Sequence, residues 1–408
     1  MENTVYDIIV IGGGVVGLST AYKINLKYPD KKILVLEKEK EVASHQTGRN
    51  SGVMHSGLYY KPGSYKAKNC VEGRRELVAF CKEYKVQHDV CGKVVVATEQ
   101  SELAHMDRVF NNGIANGVEG IEKINPKQIK DIEPFVEGIG GIWIPCTGII
   151  DFKGLCLRLE ELINTKFRGS KVVKEQEVTA FDKQGEYTDV ITKKGKFRTR
   201  FIIACAGLQS DRMAKSEGTN PDSAIIGFRG DYFDLNEKGI GKVKNLIYPV
   251  PNPKYPFLGV HFTRMIAGGT ECGPNAVFVF KREGYTKTDF SFRDTAEALS
   301  YGGTWKFFFG NMKFAYDEYM GAMFKSFFLN RLRKLIPSLQ ADEIVVSHRA
   351  GVRAMALTRE GKMSDDFDIV KSERAIHVLN APSPAATAAL AIGTAIEQMA
   401  TEHFRLSK

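Results

Sequence analysis

Residues 6–11 read YDIIVI, a nearly continuous apolar run of the kind carried by a strand buried on both faces. Gly12-Gly13-Gly14-Val15-Val16-Gly17 breaks that run, and residues 18–26 then place apolar side chains at helical spacing with no breaker. A second apolar run, 32–36 (KILVL), ends at Glu37. Strand, helix and strand at the head of the chain predict a βαβ unit.

Beyond it the pattern loosens. Residues 44–64 are rich in Gly, His, Ser and Tyr and too polar for a core element, which predicts a long loop with a short helix. Amphipathic spacing predicts a helix over 65–84, and further helices over 101–117, 126–132 and 151–167. Residues 91–97 and 141–150 read as strands. Residues 171–192 and 196–203 read as antiparallel strands that run into Ala204-Cys205-Ala206-Gly207. A β-rich stretch covers 225–280, an aromatic helical one 304–336, and the last helix is expected from about Pro384 to Phe404. There is no internal repeat and no low-complexity linker, which predicts interleaved domains.

Composition narrows the class. The chain has 408 residues, 43% hydrophobic and 26% charged, enough for two packed units or one large elaborated one. A net charge of +9 suits an anionic substrate or surface and is too diffuse to argue for nucleic acid. Seven cysteines in an odd, scattered set show neither CxxC pairs nor zinc spacing, so the expectation is free thiols in a reducing compartment and no metal site. Strand pattern begins at once and no apolar run is long enough to span a bilayer, which predicts a cytoplasmic chain.

The glycines carry the first chemistry. Gly12-x-Gly14-x-x-Gly17 follows a buried strand, opens a helix, and is answered by Glu37 twenty residues past Gly17. Gly12 permits the tight turn, Gly14 lets backbone approach a pyrophosphate, and Gly17 allows close helix packing, while the helix N-terminus faces the anion. An acid at the end of the second strand suits a ribose diol and disfavours NADP. Nicotinamide and flavin enzymes share this opening. The polar loop after Glu37 suits a large ring system with many hydrogen-bonding edges. The small residues at 204–207, and a proline-bounded start to the last helix at 380–387, point the same way. A helix N-terminus aimed at the flavin's pyrimidine edge would stabilise negative charge on the reduced ring.

Six segments then resemble one family: HQTGRNSGVMHSGLYYKPGS (45–64), FRGDYF (228–233), YPVPNPKYPFLGVHFTRM (248–265), GPNAVFVFKREGY (273–285), AGVRAMA (350–356) and NAPSPAAT (380–387). They are similar to the L-2-hydroxyglutarate dehydrogenase or oxidase family, within the D-amino-acid oxidase-like flavoproteins. The resemblance implies FAD and an α/β fold. It implies a discontinuous Rossmann-like FAD-binding domain (1–85, 148–212, 341–408) with an inserted mixed β-sheet substrate domain (86–147, 213–340). The implied reaction is oxidation of L-2-hydroxyglutarate to 2-oxoglutarate, with electrons passed to quinone or oxygen. An amine or amino-acid oxidase of the same superfamily is the alternative, and a non-catalytic dinucleotide-binding or tRNA-associated protein is the distant rival.

For the cofactor, the expected contacts are Gly12, Gly14, Val15, Val16, Gly17, Glu37, Lys38, Gln46, Thr47, Arg49, Asn50, Ser51, Gly52, Val178, Ala206, Gly207, Gly351, Pro382, Ser383, Pro384 and Ala385. The family usually has His at position 49; Arg here, if it touches the flavin, would raise its reduction potential. The reaction needs a base for the hydroxyl proton and grips for two carboxylates. His261 is the first choice for base, with His55 as alternative or flavin contact; His88, His105, His377 and His403 are given no role. Arg353 is the choice for the substrate carboxylate, its planar fork fixing the reacting bond. Tyr60 and Gln46 are candidates for further hydrogen bonds, and Arg229 or Arg264 for the distal carboxylate. The aromatic stretch 304–336 has six Lys or Arg against two acids, which suits peripheral docking on the inner face of an anionic membrane.

Overall fold

The computed structural model describes residues 4–253, 255, 258–364, 366–381 and 384–407. Val5–Ile11 and Ile33–Leu36 pair in parallel, joined by the helix Val15–Lys27. That helix begins three residues earlier than the apolar spacing suggests, because Gly14 already supplies its N-cap backbone.

Around this unit an eight-stranded sheet forms in the order Val178–Gln184, Tyr187–Thr192, Gly195–Ala204, Val5–Ile11, Ile33–Leu36, Lys171–Val173. Ala375–Asn380 joins Gly195–Ala204 in parallel and Asp368–Lys371 joins Ala375–Asn380. Residues 171–173 are therefore not part of the expected antiparallel set: they pair in parallel with Ile33–Leu36. Helix Val15–Lys27 packs on Phe152–Lys166 and on the last helix, Ala389–His403. A Cβ on Gly393 would stand 2.7 Å from the Ser19 backbone, so the two helices meet through glycine.

A nine-stranded sheet makes the second layer, with a long antiparallel pair, Ala224–Leu235 against Ile344–Leu357, near one edge. Strands Lys93–Ala97, Leu246–Pro249 and His261–Arg264 continue it. Ile344–Leu357 thus belongs to this sheet, although its sequence position placed it with the cofactor segments; the chain returns to the first sheet only at Asp368. Residues 141–150 also split. Gly140–Ile144 joins the nine-stranded sheet, and Gly148–Ile150 lies in a small sheet with Val53–Met54 and His88–Asp89. Pro145 stands at the break, where its missing N–H ends the ladder.

Two further expectations change. Residues 44–64 form turns and one two-residue strand, with no helix. The last helix starts at Ala389, not near Pro384, and its N-cap, Ala388, has no side-chain cap. The aromatic stretch holds three short helices, Gly302–Gly310, Met312–Met323 and Lys325–Leu332, and a fourth, Phe292–Ser300, precedes it. Among the described residues no helix is long and apolar enough to cross a membrane.

Candidate active site

The turn after Val5–Ile11 leaves no room for side chains at two positions. Gly12 has φ +112°, and a Cβ there would stand 2.4 Å from the Cys205 carbonyl oxygen; at Gly17 it would stand 2.1 Å from the Gly12 carbonyl oxygen. Gly14 differs. A Cβ there would meet only Thr47 Oγ1, at 3.3 Å, and its open side faces a cleft of about 750 Å³. The Gly14 N-cap has no side-chain cap bond; the Val15 N–H donates to Thr47 Oγ1 at 3.1 Å, and Val16 and Gly17 of the first turn line the cleft.

Glu37 is buried beside this turn. Its Oε2 accepts from the Gly13 N–H at 2.7 Å and its Oε1 from the Glu39 N–H at 2.8 Å, which fixes the carboxylate and leaves lone pairs for a diol. Gln46 Oε1 accepts from the Ala354 N–H at 2.9 Å, tying the polar loop to the long strand pair. Asn50 holds that loop in shape, donating to the Thr47 carbonyl at 2.8 Å and accepting from the Gly52 N–H at 2.8 Å.

Gly12, Gly14, Val15, Val16, Gly17, Glu37, Lys38, Gln46, Thr47, Asn50, Val178, Ala206, Gly207 and Ala385 all line the cleft. An anion seat at a helix N-terminus, a glycine where backbone must approach, and a fixed buried acid fit a dinucleotide, and the cleft runs on past Ala354 to Ala385 with room for a ring system. Ser51, Gly52, Gly351 and Pro384 are not among its lining residues, and Pro382 and Ser383 lie outside the described residues. Arg49 is a correction. Its side chain is exposed, donates from Nε to the Ser44 carbonyl at 3.0 Å and covers the Tyr285 ring at 3.9 Å, so it does not face the cleft. The expected helix start at Pro384 is a second correction, since residues 385–388 form turns and the helix begins at Ala389.

A second group of side chains gathers on the nine-stranded sheet. His261 is 6% exposed, its ring stacked on Tyr248 at 3.9 Å, and its Nδ1 lies 2.9 Å from the Gly259 carbonyl. That bond places the proton on Nδ1 and leaves Nε2 as the acceptor. Burial first, then Arg353 and Lys93, push the imidazole down to about 4 despite the Gly259 bond. His55 comes from the polar loop. Its N–H donates to Thr387 Oγ1 at 3.1 Å, and burial, helped by Lys93 and His261, lowers its imidazole to about 3. Arg353 joins them from Ile344–Leu357, its Nη1 3.4 Å from the Asn275 carbonyl. The phenols of Tyr59, Tyr60 and Tyr248 are all held protonated by burial.

Sequence reasoning brought His55, His261, Arg353 and Tyr60 to this region and missed Lys93, Tyr59 and Tyr248. The one available signal was a lysine at the head of the otherwise apolar run KVVVA. Arg229 and Arg264 do not join the group. Arg229 pairs in register with Val352, and so leaves the sheet on the face opposite Arg353; its Nε donates to Asp231 at 2.6 Å. Arg264 is three residues from His261 on one strand, points the other way, and is paired with Asp89. Gln46 faces the cofactor cleft, with no recorded contact to the histidines.

Residues 7–399 match the model of the family described as DAO, FAD dependent oxidoreductase. The chain is 45% identical to an L-2-hydroxyglutarate dehydrogenase of Indibacter alkaliphilus over 402 residues, covering 98% of this chain and 100% of that one. It is 41% identical to an L-2-hydroxyglutarate dehydrogenase of Escherichia coli K12 (96% and 92% covered) and 40% identical to the human mitochondrial L-2-hydroxyglutarate dehydrogenase (98% and 90%). Among solved structures, the FAD-bound L-alpha-glycerophosphate oxidase of Mycoplasma pneumoniae superposes with a TM-score of 0.76 at 22% identity, covering 100% of this chain and 96% of that one. Glycine oxidase of Geobacillus kaustophilus gives 0.72 at 13%, covering 99% and 95%. The cleft, the glycine turn and the match over nearly the whole chain make one conclusion: this protein belongs to the FAD-dependent oxidoreductases of the DAO family.

Proposed function

We propose that the chain oxidises L-2-hydroxyglutarate to 2-oxoglutarate. The observation that carries the reading is its 40–45% identity, over nearly full length, to relatives named L-2-hydroxyglutarate dehydrogenase. The group of two histidines and two cations, of which His261 and Lys93 are buried, supports it. Arg353 grips the carboxylate next to the reacting carbon with its planar fork and orients the C2–H bond. His261 Nε2 accepts the hydroxyl proton, while the Nδ1–H bond to Gly259 keeps the ring in the accepting tautomer. Tyr60, with its phenol protonated, donates a hydrogen bond to the substrate. The Gly12–Gly17 turn, Glu37 and Gln46 would hold FAD, which would provide two-electron acceptor chemistry at this site.

Anaerobic titration decides this reading. L-2-hydroxyglutarate is expected to bleach the flavin absorbance stoichiometrically, with the D enantiomer and glutamate leaving it unchanged. Bleaching by glutamate and not by the hydroxy acid would move the chain to the amine oxidases.

The acceptor side rests on the helices between Phe292 and Leu332. Phe292 is 80% exposed and Phe309 68%, with Met312, Tyr316, Tyr319 and Phe324 also exposed, while Phe307, Phe314 and Phe328 face inward. Lys306, Lys313 and Lys325 lie among them. This apolar, basic surface docks peripherally on an anionic membrane face in the cytoplasm, where quinone takes the electrons. In flotation assays the holoenzyme is expected to rise with vesicles containing phosphatidylglycerol, to stay down with phosphatidylcholine alone, and to be released by salt. Absence of binding to either vesicle would overturn the docking and leave oxygen or a soluble electron-transfer partner as the acceptor.

A further inference from the structure

Lys93 is the most deeply buried charge near the two histidines. It heads the strand Lys93–Ala97 and is 1% exposed. Strand alternation places it with Val95 and Ala97 on one face of the sheet, and parallel pairing of Tyr248 with Val95 puts the Tyr248 ring on that face too. Its ammonium lies 4.7 Å from the centroid of the Tyr59 ring and 4.9 Å from that of Tyr248. Among the described residues it makes these ring contacts and no hydrogen bond or ion pair.

A buried ammonium without an anion is costly. Two aromatic faces return only part of the desolvation penalty. The surroundings do not supply the missing charge. His55 feels Lys93 and His261, and His261 feels Arg353 and Lys93; no carboxylate acts on His55, His261 or Lys93. His55, His261 and Lys93 thus share one region with no carboxylate among the charges that act on them, and Lys93 feels only the thiols of Cys70 and Cys146, both pushed toward the protonated form by burial. The Tyr59 hydroxyl is buried without a hydrogen-bond partner, a second polar atom left waiting in the same place. Burial pushes Lys93 down to about 8, so it remains mainly protonated at neutral pH.

The chemistry that answers such a region is a small dianion. Arg353 accounts for one carboxylate, and the arginines that sequence alone offered for the other, Arg229 and Arg264, are already paired and face away. We propose that Lys93 is the second carboxylate clamp: its ammonium pairs with the carboxylate remote from the reacting carbon and makes the site selective for dicarboxylates. The proposal rests on the functional reading above, which supplies the second carboxylate.

The test compares wild-type, Lys93→Met and Lys93→Arg holoenzymes. Turnover is measured with L-2-hydroxyglutarate and with L-2-hydroxybutyrate, which lacks the remote carboxylate. Binding is measured separately, from the shift in flavin absorbance, with glutarate and with butyrate. For Lys93→Met, kcat/KM with L-2-hydroxyglutarate and the affinity for glutarate are each expected to fall about 100-fold, while the monocarboxylates change little. Lys93→Arg is expected to recover a large part of the loss. Flavin content and thermal melting confirm that each variant is folded, and Lys93→Gln replaces the Met variant if that one loses FAD. Equal losses for both substrates would overturn the clamp and place Lys93 in support of the reacting carbon. Unchanged kcat/KM for both substrates together with unchanged glutarate affinity would overturn it in favour of a purely structural lysine. If L-2-hydroxyglutarate fails to reduce the wild-type flavin, the functional reading falls, and the glutarate arm still decides whether Lys93 binds a second carboxylate.

Discussion

Replacing His261 with glutamine is expected to lower kcat by about two to four powers of ten while the protein stays yellow. The size follows from losing the proposed acceptor of the substrate hydroxyl's proton, and the retained colour from geometry, since His261 does not line the cofactor cleft. The pH profile adds an independent mark. His261 is held down to about 4, so its imidazole is neutral and able to accept from neutral pH down to that value. It gains its proton, and loses the role, only as pH falls further. The kcat/KM profile, which reports the free enzyme, therefore keeps an acid limb well below the ordinary histidine range, and His261→Gln removes that limb. His55→Gln is the companion measurement. A larger loss at His55 than at His261 would exchange the two roles.

The second large effect is expected at Arg353. Arg353→Met should lower kcat/KM by about a thousandfold, because truncating one partner of a desolvated charge pair costs about 2–5 kcal/mol and also frees the substrate to turn. Arg353→Lys keeps the charge and loses the fork, and is expected to recover only part of the rate. The substrate pattern separates this residue from Lys93. Loss of Arg353 should affect mono- and dicarboxylic 2-hydroxy acids alike, since both carry the carboxylate beside the reacting carbon. A loss confined to dicarboxylates at Arg353 would reverse the two clamps.

The cofactor side of the molecule was legible along the chain because its chemistry is local. Gly12, Gly14 and Gly17 act on one another across a single turn, and Glu37 reaches the Gly13 amide from the end of the adjacent strand. Tertiary context altered the outlying contacts. Arg49 sits in the right loop, yet stacking on Tyr285 turns its side chain away from the cleft. The segment before the last helix carries prolines and small residues that suggest a helix start, but the chain takes turns there and the helix begins at Ala389.

The substrate side was legible by residue type and poorly by place. Two histidines and three arginines were candidates for the base and the carboxylate clamps, and strand register then sorted the arginines. Arg229 and Arg353 lie on adjacent rows of one strand pair, so a step of one residue sends them to opposite faces. Lys93 does not stand out along the chain, since a lysine at the head of an apolar strand is usually a surface residue whose stem runs along the core.

By itself, then, the sequence determined the βαβ opening, the dinucleotide fingerprint, the family resemblance and the supply of basic and imidazole groups, since each is written in contiguous residues. Only the tertiary structure decided which of those groups share a space. Residues 55, 93, 261 and 353 meet because a loop and three strands of a mixed sheet converge, and the side each one faces depends on a pairing register that a single residue of slip would invert.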